Sequence, residues 1–137
     1  MKNIHPTLLK DCVFVKKLKL CNLMLMNDKN YPWIILIPER ESIIDMDELS
    51  YEDYIAVNKE IRIASKTLKK AYTPHKINIA SLGNVVPQLH IHVIGRFKED
   101  KSWPKPVWGN FPPLPYSEEE LKKEVIKIKE LIEYIDI

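Results

Sequence analysis

Apolar residues recur along this chain with two different periods, and the change of period divides it into elements. Val13 to Leu20 alternates apolar with polar, Leu23-Met24-Leu25-Met26 is a short apolar run, and Trp33-Ile34-Ile35-Leu36-Ile37 is another, stopped by Pro38. Short runs bounded by turn residues predict strands. Asn27-Asp28-Lys29-Asn30 is a dense turn signal, so the second and third runs predict an antiparallel hairpin. From Ser50 to Tyr72 the spacing lengthens: Tyr54, Val57, Ile61, Ala64, Leu68 and Ala71 form one helical stripe. Ser50 is a fitting N-cap, Glu52 and Asp53 suit the positive helix end, Lys66, Lys69 and Lys70 suit the other, and Pro74 closes it.

Lys76 to Leu82 and Gln88 to Phe97 predict two more strands, joined through Gly83-Asn84-Val85-Val86-Pro87. Residues 100–116 hold five prolines and two tryptophans and predict an extended arm instead of a packed element. Ser117-Glu118-Glu119-Glu120 is a capping-box pattern that opens a last helix over 117–135, with Leu121, Val125, Ile128, Ile132 and Ile135 as its stripe. Strands, helix, strands, arm, helix in that order predict an α+β fold on an antiparallel sheet, as a single domain over 1–137.

Composition narrows the function classes. The chain has 137 residues, 45% apolar and 29% charged, enough to bury a core without staples. A formal charge of +2 gives no field suited to nucleic acid or an anionic membrane, and Lys16-Lys17-Leu18-Lys19 reads as a solvated face. No apolar stretch approaches the roughly 20 residues of a membrane span, and Met1 to Val15 is not a signal peptide. Cys12 and Cys21 match no zinc or redox spacing, so a reducing, cytoplasmic setting is expected. The three glycines, at 83, 95 and 109, form neither a dinucleotide fingerprint nor a P-loop.

The chemistry is concentrated in Pro87-Gln88-Leu89-His90-Ile91-His92-Val93-Ile94-Gly95-Arg96. On a strand, Leu89, Ile91 and Val93 would point to a core, while Gln88, His90, His92 and Arg96 share the opposite face, interrupted by Ile94. Imidazole has the side-chain pKa closest to neutrality, and its neutral form can attack phosphorus while neighbouring donors hold the phosphate oxygens. Two other readings stay open on the residues alone. The pair can be the wet face of a half-exposed strand, or part of a metal chelate whose third ligand the sequence does not nominate. His5 and His75, isolated beside prolines, read as surface residues.

Gln88-Leu89-His90-Ile91-His92-Val93-Ile94 resembles the histidine-triad signature, His-φ-His-φ-His-φ-φ with φ apolar, with glutamine for the first histidine. The likeness extends over roughly residues 10 to 110. Leu25-Met26-Asn27 and Pro32 to Pro38 are similar to the family's first hairpin. Trp103-Pro104, then Pro106-Val107-Trp108-Gly109, resembles a bacterial subgroup akin to diadenosine tetraphosphate hydrolases. The resemblance implies a five-stranded antiparallel sheet with two helices, paired into a homodimer. It implies His90 as the nucleophile on the α-phosphorus of a nucleotide, forming a nucleotidyl-histidine that water hydrolyses. His92 would contact the phosphate or assist the leaving group, and Gln88 would donate a hydrogen bond in place of the first histidine. Asn27 matches the residue that binds ribose hydroxyls, and Asn78 and Asn84 match polar residues near the phosphates. Implied substrates are dinucleoside polyphosphates, nucleoside phosphoramidates and adenylylated compounds; the residues nominate no cofactor, and Mg2+ could accompany a polyphosphate. A nucleotide-binding regulator with little turnover is the alternative. Val85 stands where many members have a hydroxyl residue, and Trp33 where many have a histidine; the expected role of Trp33 is core packing. Trp103 and Trp108 are expected to anchor the arm, unless one of them walls the site.

Overall fold

The computed structural model describes residues 3–136; Met1, Lys2 and Ile137, part of the expected 1–137 domain, lie outside the described residues. The elements are α1 (Pro6–Asp11), β1 (Cys12–Lys17), β2 (Cys21–Met26), β3 (Trp33–Pro38), a 3-10 turn (Met46–Glu48), α2 (Tyr51–Tyr72), β4 (Lys76–Ala80), β5 (Ile91–Arg96) and α3 (Glu118–Ile132). The strands make a five-stranded sheet in the order β1-β2-β3-β5-β4. All neighbours are antiparallel, and β2 and β3 pair as the expected hairpin with Leu23 opposite Leu36.

The sheet is covered on both faces. Leu23, Leu25, Ile34, Leu36, Ile91 and Val93 pack with Val57, Ala64 and Leu68 of α2 and Ile128 and Ile132 of α3. Met24, Trp33, Ile35, Ile37 and Ile94 pack on the other face with Ile4 and Leu8 of the N-terminal segment and with Val86 and Val107. Two covered faces explain why β3 is one continuous apolar run instead of an alternation. His92, opposite Ile35, lies on the second face, away from the long helices.

The caps form as the sequence predicts. Ser50 Oγ accepts from Asp53 N at 3.1 Å, and Ser117 and Glu120 close a reciprocal capping box. Besides β1 and β4, which end at Lys17 and Ala80 instead of Leu20 and Leu82, five details differ from expectation. A third helix, α1, is present because the His5 side chain accepts the Thr7 amide at its N-terminus and Pro6 pre-sets the first turn. The buried face of α2 runs through Val57, Glu60, Ala64, Thr67 and Leu68, so Tyr54 is exposed. Polar Glu60 is tolerated there because Oε2 and Oε1 accept the amides of Leu20 and Cys21 at 2.9 and 2.7 Å. β5 starts at Ile91, not Gln88, because the Leu89 amide turns aside to the Ile43 carbonyl. α3 ends at Ile132, short of 135, with Ile135 beyond it in a turn.

The fifth difference is the arm, whose first half is packed. Arg96 and Asp100 form a buried ion pair, Nε to Oδ2 at 2.9 Å and Nη2 to Oδ1 at 3.1 Å. Asp100 also accepts the amides of Phe97, Ser102 and Trp103, while Arg96 reaches the Lys105 carbonyl at 2.8 Å. Tyr31 and Trp103 present their rings to the guanidinium at 5.7 and 5.6 Å. The second half returns to the hairpin turn, where the Lys29 amide donates to the Leu114 carbonyl at 2.7 Å.

Candidate active site

The two histidines converge although only one lies in a strand. His92 is in β5, opposite Ile35 of β3 and Ala80 of β4. His90 precedes the strand, yet its ring lies on the same side, with centroids 4.9 Å apart. His90 Nδ1 is 2.7 Å from the Gln88 carbonyl. A carbonyl only accepts, so Nδ1 carries the proton and the lone pair of the neutral ring is on Nε2. Nε2 makes no hydrogen bond among the described residues, where every buried side-chain polar atom is partnered; it therefore opens to solvent. Burial pushes the His90 pKa below its ordinary value, against the pull of the Gln88 carbonyl, which favours the unprotonated ring at neutral pH. Gly83 passes so close that a Cβ there would lie 3.3 Å from His90 Cε1 and 2.8 Å from the Val86 carbonyl oxygen. The loop thus clamps the ring from one side.

His92 is held by both nitrogens. The Trp33 indole Nε1–H donates to its Nδ1 at 3.1 Å, and its Nε2 lies 2.9 Å from the Leu82 carbonyl. Burial pushes its pKa down to about 4, with the Leu82 carbonyl opposing the shift and His90 adding to it. Trp108 stands edge-on to both aromatic neighbours, 5.0 Å from His92 and 6.1 Å from Trp33.

These residues border a cleft of about 450 Å³, framed by α1, the 82–86 loop and Trp108. A second hollow of about 370 Å³ shares Asp11, Met26, Trp33 and Trp108 with it and runs on past Asn27 to Phe111. Together they make one groove, with imidazoles at one end and an aromatic, amide-bearing end at the other. No Lys or Arg lines the imidazole end, and Asp11 brings a carboxylate.

This arrangement has close parallels. The HIT domain family model matches residues 8–99. A histidine triad protein from Sinorhizobium meliloti is 41% identical, with a TM-score of 0.91, over 93% of this chain and 95% of that one. One from Marinobacter aquaeolei is 37% identical, with a TM-score of 0.93, over 98% of each chain. A third, from Bradyrhizobium japonicum, is 35% identical, with a TM-score of 0.92, over 95% of this chain and 97% of that one. No curated protein matches. The chain belongs to the histidine-triad family. Members of this family are generally nucleotide hydrolases or transferases, and the five-stranded α+β fold, here with three helices, is theirs.

Not every residue that the histidine-triad resemblance nominates meets the others. Gln88 contributes its backbone carbonyl to His90, but its side chain turns away. Oε1 accepts from the His5 amide at 2.7 Å and Nε2 donates to the Asn3 carbonyl at 2.5 Å, so the expected donor to a phosphate is spent on the N-terminal segment. Asn78 accepts from Arg96 Nη1 at 2.9 Å and belongs to the arm anchor, as does Arg96 itself, which the strand alternation assigns to the polar face. His92 has no ring nitrogen left for a phosphate. Asn84 lines the cleft beside the histidines, and Asn27 lines the far hollow while its Oδ1 accepts the Tyr116 amide at 2.9 Å. The tryptophans divide: Trp103 packs edge-on to His75 and on Arg96, whereas Trp108 walls the groove. Trp33 is buried as expected, but it also bonds to His92. The chelate reading finds no third ligand: no group of three His, Cys, Asp or Glu side chains converges among the described residues. Nor is any helix among them long and apolar enough to cross a membrane.

Proposed function

We propose that this histidine-triad protein is a nucleotidyl hydrolase or transferase that works through His90. The observation that carries the reading is His90 itself, with Nδ1–H fixed on a carbonyl and Nε2 open at one end of a groove long enough for a nucleotide. The Nε2 lone pair attacks the α-phosphorus, the bond from phosphorus to the leaving group breaks, and that group departs with the electron pair. Water then attacks phosphorus, the P–N bond breaks, the lone pair returns to Nε2, and the water proton is lost to solvent. The Gln88 carbonyl stabilises the cationic nucleotidyl-imidazolium between the steps. Asn84, which lines the cleft with His90, would face the phosphate, and Asn27, Trp108 and Phe111 would hold the nucleoside.

Dinucleoside polyphosphates, with diadenosine tetraphosphate first, and nucleoside phosphoramidates are the substrates to test. A polyphosphate would enter with its own Mg2+, since the lining beside His90 offers no cationic side chain. Homodimerisation in a reducing cytoplasm belongs to the same reading, with Cys12 and Cys21 as buried free thiols.

The test compares wild type with His90→Ala on both compounds. Turnover should fall by roughly 10³-fold or more, and quenched wild type should show a nucleotidyl adduct on His90 by mass spectrometry. Activity that survives in His90→Ala overturns the assignment. Failure of wild type to turn over either compound, with adenosine monophosphate still bound, favours a nucleotide-binding regulator.

A further inference from the structure

The contact between Trp33 and His92 goes further than packing. Trp33 lies opposite Ile94 and His92 opposite Ile35, so the two are diagonal neighbours on one sheet face, within aromatic reach. An indole N–H can only donate, so His92 Nδ1 must be the acceptor and the ring proton must sit on Nε2. Nε2–H is in turn spent on the Leu82 carbonyl. A proton can be added to this ring only by breaking the indole bond inside a buried pocket.

We infer that Trp33 is a positioning residue that fixes His92 as a neutral imidazole, so the cleft holds no acidic group to protonate the departing group. The inference rests on the hydrolase reading above and narrows its substrate. The groups that face His92 are Trp33 from β3, the Leu82 carbonyl from the loop, Trp108 from the arm, and His90. Thr7 and Asp11 from α1 and Asn84 from the 82–86 loop line the same cleft; a hydroxyl and an amide can hydrogen-bond a departing group but do not give up a proton near neutral pH. Of these, only His90 and Asp11 titrate as side chains. His90 spends its one N–H on Gln88, and a carboxylate accepts without donating. Gln88 has turned away.

The bond to phosphorus must then break with the leaving group departing as an anion. A carboxylate or a phosphate leaves in this way without a proton, whereas an amine or an alkoxide does not. Nucleotidyl anhydrides, and above all mixed anhydrides of a nucleoside monophosphate with a carboxylic acid, fit both this requirement and the absence of Lys or Arg beside His90. A phosphoramidate fits it poorly.

Two measurements test this, and they fail separately. The first is the ¹⁵N NMR signature of His92 in the wild-type protein between pH 5 and 8. Trp33 locking requires the Nε2–H tautomer throughout, with no titration at about 6.5, and Trp33→Phe, which frees Nδ1 while the ring stays buried, should raise the pH at which His92 takes up a proton. An Nδ1–H tautomer, or wild-type titration near that value, overturns the inference without touching His90. The second uses aryl esters of adenosine 5′-monophosphate, from nitrophenols up to phenol at a pKa of about 10. Wild-type kcat/KM, which reports adduct formation and not the later hydrolysis, should drop by up to roughly tenfold for each unit of leaving-group pKa, the full cost of an unprotonated departure. A flat dependence means that a proton is being supplied and overturns the leaving-group half. If even the nitrophenyl esters are not turned over while the His92 signature holds, the leaving-group half fails, and the enzyme reading is decided separately by the His90→Ala comparison above.

Discussion

His90 and His92 are two residues apart and sit in one cleft, yet their ring nitrogens have different partners. One ring keeps a free nitrogen, and the other has none. The difference has a consequence for stability. The folded pKa of His92 is about 4, against about 6.5 for an unfolded histidine, so between those values the unfolded chain binds more protons. Stability is therefore fully present above pH 6.5 and is lost as pH falls toward 4, by about 3 kcal/mol from this residue. His90, shifted in the same direction, adds to the loss. Urea denaturation at pH 7 and pH 5 should show a lower midpoint at pH 5, and His92→Gln should flatten that difference. Equal wild-type midpoints would mean that His92 is protonated in the fold.

Among the elements, the turn from β1 to β2 depends on a residue from another layer. Glu60 of α2 is 4% exposed and accepts the Leu20 and Cys21 amides with its two oxygens. Glu60→Gln leaves one amide N–H facing an NH2 group, a buried donor without an acceptor. The expected cost is about 1–3 kcal/mol, read as a lower urea midpoint. The catalytic constants of the folded variant should be unchanged, because Glu60 packs against the sheet face opposite His90. α1 shows the same dependence of a local element on a distant one: the His5 side chain caps it, while Gln88 of the histidine motif holds the His5 amide.

Across the whole molecule, the groove exists because the arm is pinned back onto the sheet. The Arg96–Asp100 pair ties β5 to the arm and leads it past Tyr31 and Ser102, whose hydroxyls meet at 2.5 Å, to Val107 and Trp108 at the groove wall. Removing one partner of a buried pair strands the other charge, so Asp100→Ala should cost about 3–5 kcal/mol. Limited proteolysis should then cut within residues 100–110. Nucleotide affinity should weaken more than kcat, because Trp108 loses its seat while His90 keeps its carbonyl. An arm that stays protease-resistant with unchanged affinity would disconnect the anchor from the groove.

Much of this was legible in the sequence because local rules decide it. Periodicity and turn residues marked the β2–β3 hairpin, and Ser50 and Ser117 marked the helix starts. The run from Gln88 to Ile94 marked the candidate site, since hydrogen bonds to near neighbours and side-chain period depend on sequence distance alone. Sheet register and layer packing are non-local, and they decided the rest. They put Trp33 diagonally across from His92, drew Asn78 and Arg96 into the arm anchor, and turned the Gln88 amide toward Asn3 and His5. An amide or an imidazole in a sequence advertises its hydrogen-bonding groups, but only the tertiary structure decides which partner occupies them.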